Sequence, residues 1–468
     1  MIIQDILTRI EQGSSAVAEV AAAIERAKSA SDKNIFLEIY EEQALSRAEA
    51  IDQKLQAGES VGRLAGVPFA AKDNFLTSGG STTAASQILK GFQAPLQATA
   101  VEKLEAEGAI CIGKLNLDAF AHGGSTENSA YGVTKNAVDD SKVAGGSSGG
   151  SAVAVALGIV PFTLGTDTGG SIRQPASFNG VVGFKPTYGM ISRYSVVAMA
   201  SSTDTIGVLS QTVSDASLVA DIMAGPDKRD MTTLPAYFSA QQSDTGRKRL
   251  GLIKELMADG VEEGVKQATN RAVEQLKQAG YEIEEVSLPM TKYALAMYYI
   301  IVPAEISSNL ARYDGIRYGQ RSPEAKSLSD VYEMSREQGF MAENKRRIII
   351  GSYVLSSGYF DAYYQKAQKA RTLLINEFNQ LFERYDGLVS PVSPTTAFKI
   401  GERIADPLTM YMADLMTVSP SLAGLPAVSV PVGESEGMPV GLQIIGKMKD
   451  DSYVLRTAQD VEGVYRGK

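Results

Sequence analysis

The sequence holds a single histidine, His122, and a single cysteine, Cys111, in 468 residues. One thiol excludes an intrachain disulfide framework and a cysteine-based zinc site. It lies in the apolar run Ala109-Ile110-Cys111-Ile112 and reads as a buried structural thiol. One imidazole leaves His122 as the only residue that could serve a Ser-His-Asp triad, a histidine metal site or a histidine general base. The plain alternative for His122 is a ring held by local hydrogen bonds. Positive charge is also in short supply. The formal net charge is −9, which argues against a broad phosphate-binding surface on this chain. Long apolar runs are missing too. The longest, residues 152–164, is broken by Gly158 and Pro161 and is shorter than the ~20 residues of a membrane span. The first residues, MIIQDILTRIEQG, have acidic side chains and no apolar signal-peptide core. A cytoplasmic location without membrane attachment fits these features.

What is present reads as an ordinary globular chain, with 44% hydrophobic and 21% charged residues. Residues 15–29 and 41–57 have helical periodicity and predict an N-terminal helical layer within residues 1–61. Residues 62–209 alternate short apolar runs with clustered glycine and serine. Here 67–71, 109–113 and 159–164 predict buried strands, and 100–107 and 151–157 predict helices. Residues 210–468 continue with a strand–helix–strand unit (248–253, 263–279, 281–288) and a mainly helical, tyrosine-rich stretch (324–385). They end with strands at 387–394 and 427–446, the latter a hairpin around GESEG. Strands that are apolar throughout and alternate with helices predict a sheet covered on both faces. The expectation is one large α/β domain over residues 1–468, with a central mixed, mostly parallel sheet.

Three places can carry chemistry without histidine. Lys72, in LAGVPFAAKDNF, ends an apolar strand. Desolvation lowers a lysine pKa, and a neutral lysine is a competent general base. The alternative is a buried lysine paired with Asp73 or another carboxylate. The second place is GGSSGGS, residues 145–151, which leads into the apolar helix. A hydroxyl there can pass protons, and such a loop can also cradle phosphate. It lacks the Gly-Lys-Ser/Thr of a Walker loop. The third is DTGGSIRQP, residues 167–175, directly after a buried strand. A strand, a glycine turn and then serine exposes a hydroxyl at the carboxyl end of a sheet. The N–H groups of Thr168, Gly169, Gly170 and Ser171 could converge on one oxyanion.

The order Lys72, Ser147, Ser171, with both glycine–serine turns intact, resembles the amidase signature family over roughly residues 62–209. The resemblance implies that fold and a hydrolysis in which Ser171 is the nucleophile and Lys72 the base. Ser147 would relay the proton through an unusual cis peptide, and Thr168, Gly169 and Gly170 would form the oxyanion hole. Beyond the lysine and the two glycine–serine turns, LDAFAHGGSTENSAYG, PAEISSNLARYDGIRYG, KRRIIIGSYVLSSGYFDAYYQKAQKAR, PTTAF and DPLTMYMADLMT are similar to the A subunits of the aspartyl/glutamyl-tRNA amidotransferases. That resemblance implies glutamine as substrate, with Arg347 clamping its carboxylate, Asp414 pairing with its ammonium and Tyr298 adding a hydroxyl. Tyr299 is the alternative to Tyr298 for this role. Without the family, Lys345-Arg346-Arg347 reads as a solvated helix face and Asp414 as a surface carboxylate.

The resemblance also implies no metal or cofactor in this chain. ATP and magnesium would act at a partner B subunit, which would receive the ammonia and engage tRNA, and a small C subunit would complete the heterotrimer. His122 stands where these A subunits more often have methionine, and is expected to line the pocket rather than act as base. The rival reading is a stand-alone amidase for small-molecule amides, which needs neither Arg347 and Asp414 nor partners. A non-catalytic scaffold predicts loss of Lys72, Ser147 or Ser171, and all three are present.

Overall fold

In the computed structural model, which describes residues 1–240, 246–404 and 406–466, the strands join into one sheet. They are β1 (Phe36–Ile39), β2 (Pro68–Lys72), β3 (Ile110–Leu115), β4 (Phe162–Asp167), β5 (Val182–Lys185) and β6 (Thr205–Ser210). Then follow β7 (Arg249–Ile253), β8 (Glu282–Val286), β9 (Gly387–Pro391), β10 (Ala427–Ser435) and β11 (Met438–Gly446). Among the described residues these eleven strands run in the order β1-β3-β2-β4-β6-β5-β10-β11-β9-β7-β8.

The sheet is mixed. Its parallel pairs fall in two blocks, β3-β2-β4 and β9-β7-β8. The span between the blocks, and the β1 edge, are antiparallel. The parallel share is therefore smaller than the apolar texture implies. A strand buried on both faces has the same composition whichever way its neighbours run.

Apolar side chains alternate between two cores. Phe69 and Ala71 of β2 join one, and Ala70 joins the other. Helices Ala16–Ser29 and Glu41–Gln56 cover the Ala70 face, as the N-terminal periodicity predicts. Ser15 caps the first of them, its hydroxyl accepting the Ala18 N–H at 3.0 Å. Helices Val213–Met223, Glu263–Gln278 and Asp451–Arg466 contribute to the opposite core.

Two consequences of this layout place the site. Lys72 is the last residue of β2, and β4 runs parallel beside it, with Ala71 opposite Leu164. The 167–171 turn therefore leaves the sheet at the same carboxyl end as Lys72. The buried helix Gly149–Ala156 begins there too, directly after the 145–148 turn.

Helix Thr291–Asn309 was not legible as a separate element. With its extension to Arg312 it is long and apolar enough to cross a membrane, but half of the tested stretch is buried in the protein. It packs against helices Ala342–Val354 and Lys366–Leu381. A side chain at Gly351 would overlap the Pro303 carbonyl, so the first two helices meet backbone to backbone.

Candidate active site

Lys72 is fully buried. Its Nζ lies 2.7 Å from Ser147 Oγ, 2.9 Å from Ser148 Oγ and 3.0 Å from Thr166 Oγ1. Burial pushes the ammonium pKa down to about 7, against the opposing charges of Asp118, Asp167 and Asp204. Near neutral pH a large fraction of this amine is unprotonated. Asp73 is not its partner: that carboxylate pairs at 2.8 Å with Lys114. Among the described residues no carboxylate pairs with Lys72, and three hydroxyls surround the amine instead.

The Gly146-Ser147 peptide is cis. Gln174 holds the turn from behind, its Oε1 accepting the Gly146 N–H at 2.9 Å and its Nε2 donating to the Gly124 carbonyl at 2.8 Å. Asp118, fully buried, accepts the N–H groups of Thr126 at 2.9 Å and Asn128 at 3.0 Å. A side chain at Gly146 would overlap Asp118 Oδ2, so that carboxylate closes on the cis turn. Desolvation lifts the Asp118 pKa to about 6.

The two glycine turns are tied together where Ser148 N–H donates to the Ser171 carbonyl at 3.1 Å. Ser171 keeps 8% of its surface exposed. Among the described residues its Oγ has no hydrogen-bond partner, and the N–H groups of Gly169, Gly170 and Ser171 donate to no protein acceptor. Three consecutive amides are thus open for an anionic oxygen. Gly170 has φ +146°, and a side chain there would overlap Thr417 Oγ1. A Cβ at Gly169 would stand 2.6 Å from the Tyr298 ring. Glycine is required at both positions. Below the turn, Arg173 bonds Asp167 through Nη2 at 2.8 Å and Nε at 2.9 Å, both side chains fully buried. Arg173 also donates to Gln443 at 2.5 Å and Ser421 at 2.7 Å, which anchors the turn to β11 and to helix Val418–Leu422.

The polar end of the pocket is built by two helices and the 407–417 segment. Arg347 is 3% exposed, unlike a solvated helix face. Its Nε bonds Glu343 Oε1 at 2.8 Å, and its guanidinium lies over the rings of Tyr299 and Tyr411 at 5.3 and 5.6 Å. Tyr299 stacks on Tyr411 with centroids 3.9 Å apart, and its hydroxyl donates to Asp414 Oδ2 at 3.3 Å. Burial raises the Asp414 pKa to about 7, against the pull of Arg347. Tyr298 packs edge-on against Tyr299 and borders the Gly169 turn. Tyr298 therefore lies on the serine side and Tyr299 on the Asp414 side. His122 is fully buried, lines a cavity of about 200 Å³ together with Arg347, and lies 2.7 Å from Asn344 Nδ2.

The structure brings Lys72, Ser147 and Ser171 to one end of the sheet and sets Tyr298, Arg347 and Asp414 beside them. Sequence reading missed Ser148 and Thr166 as partners of Lys72, and Asp118, Gln174, Glu343, Tyr411 and Thr417 as the surrounding frame. Ser148 was visible within GGSSGGS. Gln174 was visible within DTGGSIRQP, and the others come from outside these two turns.

A buried lysine in a hydroxyl cage, beside a serine turn with open amides, defines a class of histidine-free serine hydrolases. The chain belongs to the amidase family, whose profile matches residues 18–455. It is 50% identical over 457 residues to the A subunit of the glutamyl-tRNA(Gln) amidotransferase of Symbiobacterium thermophilum, covering 97% of this chain and 92% of that one. To the corresponding A subunit of Geobacillus kaustophilus it is 53% identical over 431 residues, covering 91% and 89%. The crystal structure of the A subunit of the Thermotoga maritima glutamyl-tRNA(Gln) amidotransferase matches with a TM-score of 0.82 at 39% identity, covering 99% of this chain and 94% of that one.

Proposed function

We propose that this chain hydrolyses the side-chain amide of glutamine and supplies the ammonia to a partner subunit, which amidates misacylated Glu-tRNA(Gln), Asp-tRNA(Asn) or both. The observation that carries the hydrolytic reading is Lys72, whose pKa of about 7 and three hydroxyl neighbours suit a base that works through serine. Neutral Lys72 draws a proton through Ser147 from Ser171. Ser171 Oγ attacks the amide carbon, and the open amides of Gly169, Gly170 and Ser171 receive the oxyanion, each such donor being worth ~3–4 kcal/mol. Ser147 returns the proton to the leaving nitrogen, ammonia departs, and water cleaves the acyl-enzyme.

The glutamine reading rests on the relatives and on the charge pattern beyond the serine. Arg347 offers its guanidinium to the α-carboxylate. Asp414 offers a carboxylate to the α-ammonium, and Tyr298 and Tyr299 frame the path between. Nothing in this scheme uses a metal or organic cofactor bound to this chain. ATP and magnesium belong to the partner B subunit, tRNA is met through that subunit, and a C subunit completes a cytoplasmic heterotrimer.

The substrate test compares glutamine with apolar primary amides of similar length, with and without B and C subunits. Glutamine is expected to exceed the apolar amides by about 100-fold or more in kcat/KM, the scale of two charge-assisted contacts. Equal or better use of the apolar amides would instead favour a stand-alone amidase.

A further inference from the structure

His122 and Asn344 form a pair that the hydrolytic scheme leaves unused. Two bonds fix the orientation of the Asn344 amide independently of His122. Its Oδ1 accepts the Met341 N–H at 3.2 Å, and its Nδ2 donates to the Ala119 carbonyl at 2.8 Å. The group facing the imidazole is therefore an NH₂ donor. His122 Nδ1, 2.7 Å away, accepts from it, and the imidazole proton resides on Nε2. His122 Nε2 is buried and, among the described residues, has no hydrogen-bond partner. Burial and the nearby charge of Arg347 hold the His122 pKa well below the ordinary histidine value, so the ring is neutral. With its lone-pair nitrogen occupied by Asn344, the ring is a donor and not a base.

His122, which carries this unpaired donor, lines the cavity of about 200 Å³ that Arg347 also lines. Asn344 and Arg347 stand three residues apart on helix Ala342–Val354, so one helical face positions both. Glu343 holds Arg347 by its Nε, and among the described residues the Nη groups have no hydrogen-bond partner. Gly124 lines the same cavity, and a Cβ there would lie 3.8 Å from Asp414 Oδ1, so the cavity abuts the carboxylate proposed for the ammonium. Arg346, Arg347 and Arg403 line it against Asp118, Glu127 and Glu343; Asp118 accepts the Thr126 and Asn128 N–H groups, and Glu343 is already paired with Arg346, Arg347 and the Tyr411 hydroxyl. A carboxylate accepts from several directions at once. It can therefore take the Arg347 Nη groups on one side and a ring N–H on another.

We propose that His122 Nε2–H donates a hydrogen bond to the α-carboxylate clamped by Arg347, making His122 a substrate-binding residue that selects amides carrying that carboxylate. The inference rests on the glutaminase reading and adds a specificity determinant to it.

Binding is measured by calorimetry on the full chain in a Ser171→Ala background, with glutamine and with 4-aminobutanamide, which is glutamine without its carboxylate. His122→Met is expected to weaken glutamine binding about 10- to 100-fold, the scale of a hydrogen bond to a charged group. Affinity for 4-aminobutanamide should be unchanged, which also reports an intact pocket. His122→Gln keeps an N–H donor and should recover part of the lost glutamine affinity. Unchanged glutamine affinity in His122→Met, equal weakening of both ligands, or no recovery in His122→Gln would overturn the inference. A Ser171→Ala parent that binds no glutamine overturns the glutaminase reading, and this inference with it.

Discussion

Ser171→Ala is expected to lower glutamine turnover on the order of 10⁴-fold or more while leaving the fold intact. The size follows from what is lost and what remains. Removing Oγ deletes the attacking atom, so no acyl-enzyme forms. The open amides of the turn and the Arg347–Asp414 end of the pocket survive, and they supply the residual rate. Stability should change little, by ~0.5 kcal/mol or less, because Ser171 Oγ makes no hydrogen bond among the described residues. Steady-state ammonia release checks the first statement and denaturant unfolding the second. Near-wild-type ammonia release from a folded Ser171→Ala protein would remove Ser171 from the mechanism.

Lys72 carries the second large effect. Lys72→Arg is expected to lower turnover by about 10²- to 10⁴-fold, because a guanidinium stays charged and cannot accept a proton. In the proposed mechanism the working form is the neutral amine. Its pKa is about 7, so activity rises as pH climbs through that value and falls below it. Asp414 behaves oppositely in charge but alike in consequence. Its pKa is also about 7, and it must be ionised to pair with an ammonium. Acidification therefore removes both functions in the free enzyme. Once substrate is bound, its ammonium keeps Asp414 ionised, and Lys72 alone limits the chemistry. The expected acid limb of log kcat/KM has a limiting slope of about two, and that of log kcat about one. Profiles of kcat and kcat/KM with pH check this. A pH-independent kcat below neutrality would mean that Lys72 is not the base.

How far the sequence reached depended on how local each feature is. The two glycine–serine turns were legible because each demands glycine at fixed places. Gly170 has a positive φ, and the Gly169 position is closed by the Tyr298 ring. Lys72 was visible as a lysine ending an apolar strand. Its environment was not visible, because Ser148 and Thr166 lie 76 and 94 residues away. The same distance problem hid the Asp73–Lys114 pair, which freed Lys72 from its adjacent carboxylate.

The fold shows a parallel limit. Apolar strands such as β2 and β4 announced a sheet covered on both faces, but their composition cannot say in which direction the next strand runs. Helix Thr291–Asn309 escaped notice because it is apolar nearly all round, so it lacks the amphipathic period that marks a surface helix. That helix sets Tyr298 against the serine turn and Tyr299 against Asp414. The packing thus gives each tyrosine a neighbour of its own.

The central claim is that Ser171 Oγ becomes acylated by substrate through a lysine-driven relay. The direct measurement is rapid acid quench of the protein during turnover of carbon-labelled glutamine, followed by peptide mapping. The account predicts a labelled glutamyl ester on the peptide containing Ser171, absent in Ser171→Ala and strongly reduced in Lys72→Arg. Label on another residue, or brisk ammonia release with no label on the Ser171 peptide of the trapped enzyme, would contradict it.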